Sequence, residues 1–370
     1  MTTDHIYTLV NSVASQATGH SGIVASDTST LVALGNTVLS SSTNTEAFIN
    51  TLLQRIGRTI MDFRRYRNRL NDMVLNDFEY GKILQKVKVV MPEAVDDPTY
   101  DLVDGQSIDP WTVYKPTALQ KLFVKRTPYM FAQSISRQAL KEAFTSAEAM
   151  GAFISAVMGE MRNAVEVSLE NLGRLTIANM IAEASGNSNQ VVNLVTEWNS
   201  FGNTLTASTA LLDKDFLAYA IRRINETFDM MQSLTELFND GSVARFTPRE
   251  DMRVKLLSPF VRAAETVVQY AAFNEELIRV DATYQKIPFW QGAQSPMEIN
   301  VDRASDQAAT NINNIIGVVY DRDALGIYQI EEEVNTTPLN PKGRYYTTYM
   351  HEEQLWFNSL DESFVYFTLN

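Results

Sequence analysis

The chain contains no cysteine. Disulfides, thiolate catalysis and Cys-ligated zinc are therefore excluded. Histidine is scarce: His5, His20 and His351 are the only three. His351-Glu352-Glu353 lacks the second His of a zinc-protease helix. No G-x-S-x-G, P-loop or G-x-G-x-x-G stretch is present. Glycine and proline number 16 and 11, below ordinary usage, which excludes a mostly disordered or collagen-like chain. The longest mainly apolar stretch, Ala149 to Met158, is stopped by Glu160, far short of a membrane span. Positive charge is in deficit: 31 Lys and Arg against 44 Asp and Glu leave a net charge of −13, the wrong sign for a general nucleic-acid binder. The opening Met1-Thr2-Thr3-Asp4-His5 lacks the pattern of a signal peptide, so the expectation is a soluble protein made in the cytoplasm.

What is present is a chain of 370 residues, 45% apolar and 20% charged, enough to bury a sizeable core in one large or two modest domains. Residues 1–44 are rich in Ser, Thr, Ala and Asn and show no strong period. They read as an extended arm or a disordered tail, loosest at Leu39 to Thr43. Phe48, Leu52, Ile56, Ile60 and Phe63 then recur at spacings of three and four, predicting a helix near 45–76. Its second half holds the one basic cluster, with Arg64, Arg65 and Arg67 at its centre. That cluster reads either as a solvated face or as a contact with an acidic neighbouring subunit or packaged nucleic acid.

The run from Gly81 to Val89 alternates Lys with Val, and Gln120 to Arg126 returns after a loop that includes Trp111. This predicts a long two-stranded hairpin with charges on one face, carrying Lys86, Lys88, Lys121 and Lys125. An isolated hairpin is marginal in water, so it must rest on something, and a neighbouring subunit is the obvious candidate. Thr145-Ser146-Ala147-Glu148 fits a capping box for a helix of about 39 residues ending before Gly186, with Gly151, Gly159 and Gly173 marking bends or close packing. Asp213 caps a helix to about Phe238, and Ser258-Pro259 opens another to about Asn274. Strands are expected at 253–257, 312–320, 324–330, 344–350 and 364–369. Helices and strands mix without a βαβ rhythm, so the fold class is α+β. The acidic runs Asp321-Arg322-Asp323 and Glu331-Glu332-Glu333 do not match a calcium loop, and among 44 acids any chosen carboxylate pair is uninformative. No catalytic, cofactor-binding or metal-ligating residue is assigned.

The order of these features resembles the major capsid proteins of tailed bacteriophages, with the Hong Kong 97 capsid fold. The likeness is carried by Ala139 to Ser146 leading into the long helix, by Ile316 to Leu325, and by Pro341 to His351. The resemblance implies an N-terminal arm and helix at 1–77 and an extended loop at 78–130. It implies a peripheral domain at 131–205 with the spine helix, an axial domain at 206–334, and peripheral C-terminal strands at 335–370. It further implies a non-enzymatic subunit that self-assembles into hexamers and pentamers of an icosahedral head around double-stranded DNA. A portal protein and head-decoration proteins are implied partners; DNA would lie close without specific binding, and no membrane or cofactor is involved. The subunit would be made in the host bacterial cytoplasm and end in the virion. The first 44 residues are too short and too uncharged for the cleavable scaffolding segment of some members, which favours a separate scaffolding protein. No Lys–Asn crosslink is expected. Arg64, Arg65, Arg67, Lys86, Lys88, Trp111, Lys121 and Lys125 are the candidate intersubunit contacts. An encapsulin-like shell around protein cargo, another phage structural component and a hydrolytic enzyme are the alternatives.

Overall fold

The computed structural model describes residues 3–370 except 20–23, 57–65, 76–83, 93, 96, 98, 100–101, 109–110, 112, 125, 241–243, 271–279 and 281–282. Residues 1–44 correct the sequence reading, because those described are neither an arm nor a tail, while the helix read from 45 is present. This part of the chain forms α1 (Thr3–Thr18), α2 (Thr28–Val38) and α3 (Ser42–Ile56). Ile6, Leu9, Val10, Val13 and Ala14 make one buried stripe, Leu31, Leu34 and Val38 a second, and Phe48, Ile49 and Leu52 a third. Asp27 starts α2 through a capping box with Thr30. Ser and Thr fill the outer faces, which hid the period. The helix expected to 76 also ends sooner: residues 66–70 are non-helical, followed by a single 3-10 turn and the short β1 (Val74–Leu75).

The hairpin follows as β2 (Leu84–Val89) and β3 (Ala118–Phe123), paired antiparallel from Leu84↔Phe123 to Val89↔Ala118. The chain continues into β4 (Arg126–Ser136), α4 (Arg137–Ala143) and α5 (Ala147–Phe153). The cap of α5 is Ser146 rather than Thr145: its hydroxyl accepts from the Ala149 amide at 3.1 Å. A π turn (Ile154–Gly159) joins α5 to α6 (Glu160–Ala184), so the spine is one long helical run interrupted once. A Cβ on Gly173 would stand 3.0 Å from Leu70, and one on Gly151 2.9 Å from Ile6, so both glycines serve close packing.

Next come β5 (Val191–Asn193), α7 (Leu194–Ser200), α8 (Ala207–Ala210) and α9 (Lys214–Gln232). Asp213 caps α9 as expected, through the Phe216 amide at 2.9 Å. The helix stops at Gln232 instead of Phe238, because Phe238 is buried separately, beyond the end of the helix. Then follow β6 (Met252–Leu257), α10 (Ser258–Tyr270), β7 (Tyr284–Ile287), β8 (Ile299–Asp302), β9 (Ala309–Ile312) and β10 (Ile315–Asp321). The chain closes with β11 (Leu325–Thr336), β12 (Tyr345–Asn358) and β13 (Phe364–Thr368). The expected 324–330 and 344–350 strands are thus halves of a longer pair, and β11 runs across the 334/335 boundary.

Two sheets share the spine. A four-stranded sheet runs β1-β11-β12-β4 and a five-stranded sheet β5-β13-β10-β6-β7. The inner face of the first, with Ile327, Tyr346 and Met350, packs with α1–α3 and the first half of the spine. The second half of the spine, through Ile177, Met180 and Ile181, covers one face of the five-stranded sheet. Phe216, Phe228 and Phe260 of α9 and α10 cover the other. Alternation alone fails to mark the central strands, since β10 and β13 are buried on both faces.

Candidate assembly surfaces

The hairpin inverts the usual pattern of a strand laid on a core. Pairing puts Lys86, Lys88, Lys121 and Phe123 on one face and Val87, Val89 and Leu122 on the other. The charged face points inward, to the turn between β12 and β13. Lys86 Nζ lies 2.7 Å from Glu362, Lys121 Nζ 2.8 Å from Asp361, and Lys88 Nζ 3.3 Å from Glu362. Lys88 also donates to the Asp361 carbonyl at 2.9 Å and Lys86 to the Asp323 carbonyl at 3.0 Å. Arg245 approaches Glu362 from the far side at 3.5 Å. Phe123 packs on Phe357 with ring centroids 5.3 Å apart. The Lys88 side chain is only 4% exposed. Burial lowers its pKa, against the opposing pull of Glu362 and Asp361. For Asp361, burial works upward but is outweighed by Lys121, Lys88 and Lys86, which hold the carboxyl below its ordinary range.

The outward face is exposed and mostly apolar, interrupted by Gln85 and Gln120. Val87 and Val89 are 57% and 62% exposed, and Met91, Leu122 and Val124 match them. The stripe continues into the loop with Val95, Leu102, Val103, Ile108, Val113 and Tyr114, all more than half exposed. Trp111 stands there too, 84% exposed. Scattered exposed apolar residues are ordinary, but a run along one strand face marks an interaction surface.

The sequence grouped eight residues as contacts. Lys86, Lys88 and Lys121 converge on one acidic turn of their own chain, which the sequence reading did not anticipate. Trp111 sits apart from them in the exposed loop. Arg67 is exposed at the start of a segment laid along the spine. There the Tyr66 amide donates to Asn163 at 2.9 Å, and the Tyr66 hydroxyl to Glu170 at 2.5 Å. The Arg69 amide donates to Glu170 at 3.2 Å, and Arg174 pairs with the same carboxylate. Arg64, Arg65 and Lys125 lie outside the described residues.

Two buried charges were not singled out by sequence. Lys255, on central strand β6, donates to Asp72 Oδ1 and Gln285 Oε1, each at 2.5 Å. Burial, opposed by Asp72, brings its pKa to about 8. Asp72 and Gln285 also wall a cleft of about 620 Å³, together with Arg249, Glu250 and Arg253. Glu352, read as part of a failed zinc motif, is buried on the inner face of the first sheet. No sequence signal separates these from ordinary surface charges. Among the described residues no group of three His, Cys, Asp or Glu could hold a metal, and no helix is long and apolar enough to cross a membrane.

Comparison with known proteins bears on these surfaces. The family model for Phi29-like phage major capsid proteins matches residues 8–368. The major capsid protein of Bacillus phage GA-1 is 28% identical over 149 residues, which cover 40% of this chain and 30% of that protein. The capsid of Staphylococcus phage Andhra contains a chain that superposes with a TM-score of 0.51 at 11% identity, covering 84% of this chain and 87% of that one. The capsid of cyanophage P-SCSP1u gives a TM-score of 0.50 at 13% identity, over 84% and 90% of the two chains. At such identities the likeness is one of fold, and that fold is the Hong Kong 97 type.

Proposed function

We propose that this chain, which belongs to the Phi29-like phage major capsid proteins, forms a phage capsid shell, and that its hairpin is the arm by which each copy in that shell grips the next. The observation that carries this reading is the inverted hairpin. Its lysines are spent on the chain's own Asp361 and Glu362, which fixes the stem. Its valines are left facing outward, where only another molecule can cover them. At about 25 cal/mol per Å², covering such a stripe is worth several kcal/mol per subunit. Repeated around closed rings, a contact of that size builds a shell.

The finer parts follow the same logic. The subunits group as hexamers and pentamers. The first sheet, with the N-terminal helices and the first half of the spine, serves as the peripheral part. The five-stranded sheet with α9 and α10 serves as the axial part. Size control falls to a separate scaffolding protein, a reading supported by α1–α3 being already built into the core. A portal protein and head-decoration proteins complete the head. The net charge of −13 suits a wall that lies beside packed double-stranded DNA without adhering to it. Synthesis is in the host bacterial cytoplasm, and the chain's role is structural, without catalysis.

The test is the variant Val87→Ser/Val89→Ser/Leu122→Ser. Because these side chains touch solvent in the free chain, its melting temperature should stay within about 2 °C of the parent. Shell formation, followed by sedimentation and electron microscopy, should be lost. Normal shells from this variant would overturn the proposed grip.

A further inference from the structure

We propose that Glu332 and Glu352 compete for the single guanidinium of Arg162, and that this competition is a pH-sensitive clasp between the four-stranded sheet and the spine helix. Glu352 lies on β12, 1% exposed, directly opposite Glu332 of β11 in the strand register. Like charges placed opposite each other on neighbouring strands repel. Arg162, from the first half of the spine, bonds Glu332 at 2.5 Å. Glu352 Oε2 accepts from Gln329 at 2.9 Å. Its other oxygen, Oε1, is buried with no partner, and so is Nε of Arg162. An unused acceptor and an unused donor therefore stand at one junction, with the donor's owner committed to the more exposed acid.

The groups that face Glu352 come from four elements. Glu332 and Gln329 come from β11, Gln354 from β12 itself, and Arg162 from α6. From β4 the register partner is Tyr129. Burial first, and Glu332 second, push the Glu352 carboxyl up to about 7, while Gln354, Arg162 and Gln329 pull the other way. Below that value the acid is neutral, and Arg162 rests on Glu332 at no electrostatic cost. Above it, a buried carboxylate without a full set of partners draws the guanidinium away. Arg162 follows the π turn Ile154–Gly159 by three residues. A π turn is the one place in a long helix where the hydrogen-bond register is already shifted, so motion of Arg162 can be taken up there. Because the Glu352 pKa is raised above its ordinary value, the stabilisation is complete below about pH 4.5 and is lost as pH rises through about 7.

The experiment uses the full chain labelled with ¹³C at glutamate Cδ. In the parent, one glutamate should titrate near 7, and Glu332→Gln should lower that midpoint, since a repelling charge is gone. Glu352→Gln should melt with the parent at pH 5 and about 2–4 °C above it at pH 8. Hydrogen exchange of amides 154–163 should depend on pH beyond its intrinsic rate in the parent and lose that dependence in Glu352→Gln. A Glu352 midpoint in the ordinary carboxylate range, or one that Glu332→Gln leaves unmoved, would overturn the clasp. So would a Glu352→Gln variant destabilised equally at both pH values. The titration of the parent decides the matter even if that variant does not fold.

Discussion

Gly35 is a small residue that a helix would ordinarily exchange for alanine with a gain of about 1 kcal/mol. Here the added methyl group would stand 2.5 Å from Cγ of Phe144, whose ring also packs on Phe48 at 5.4 Å. Overpacking of that kind costs about 1–3 kcal/mol, more than the propensity gain. Gly35→Ala should therefore lower the urea midpoint, and a raised midpoint would show that α2 is looser than described. Lys255 makes a second case. Removing the partner Asp72 strands an ammonium that is fully buried, at a cost of about 3–5 kcal/mol, whereas Asp72 itself is partly exposed and can rehydrate. Asp72→Ala should thus be more damaging than Lys255→Met. With its partner gone, the Lys255 pKa falls further below the unfolded value, so Asp72→Ala should regain stability as pH rises from 7 to 9. Thermal melts of both variants across that range check the order and the sign.

The hairpin stem behaves as an element latched by charge, and its fate in acid follows from the carboxyl that holds it. Asp361 sits below its ordinary pKa when folded, so its stabilisation is present above about pH 4 and is lost as pH falls through the lowered value. Exchange of amides 84–89 and 118–123 should stay slow at neutral pH and accelerate, beyond the intrinsic rate change, only below pH 4. Lys86→Gln/Lys88→Gln/Lys121→Gln should show that acceleration already at neutral pH. Unchanged protection in this variant would mean that Phe123 on Phe357 holds the stem without the lysines. The hairpin was legible because alternating Lys and Val has one physical reading. The direction of its faces was not, since it depends on Asp361 and Glu362, more than 230 positions away. The spine was legible from its long apolar period, but not the π turn within it. The helices α1 and α2 were illegible because Ser and Thr, weak helix formers, cover faces that more often carry Lys and Glu, whereas most of α3 lay in the helix read from residue 45. β12 was read only to Met350, because charges at 351–353 look like a loop until Glu352 is seen to be buried.

The whole molecule joins a self-sufficient body to an appendage that is not self-sufficient. The body has three apolar clusters, all threaded by or laid against the spine and the two sheets. Among the described residues, none between 74 and 128 belongs to these clusters or packs against them. Replacing 90–117 by a short turn, with β2 and β3 kept, should therefore leave a chain that melts cooperatively within a few degrees of the parent. The same chain loses the exposed loop from Val95 to Tyr114, and with it most of the uncovered apolar surface of the hairpin. If folding and assembly are separable in this way, the variant should remain monomeric under conditions where the parent forms shells. Mixed with the parent, it should cap growing assemblies, because its body still offers the surface that a neighbour's hairpin covers while its own grip has lost the loop's share of the apolar surface. Sedimentation of mixtures would show shell yield falling more steeply than the parent fraction. A yield merely proportional to that fraction would mean that the truncated chain never enters the lattice, and that the loop is needed for recognition as well as for grip.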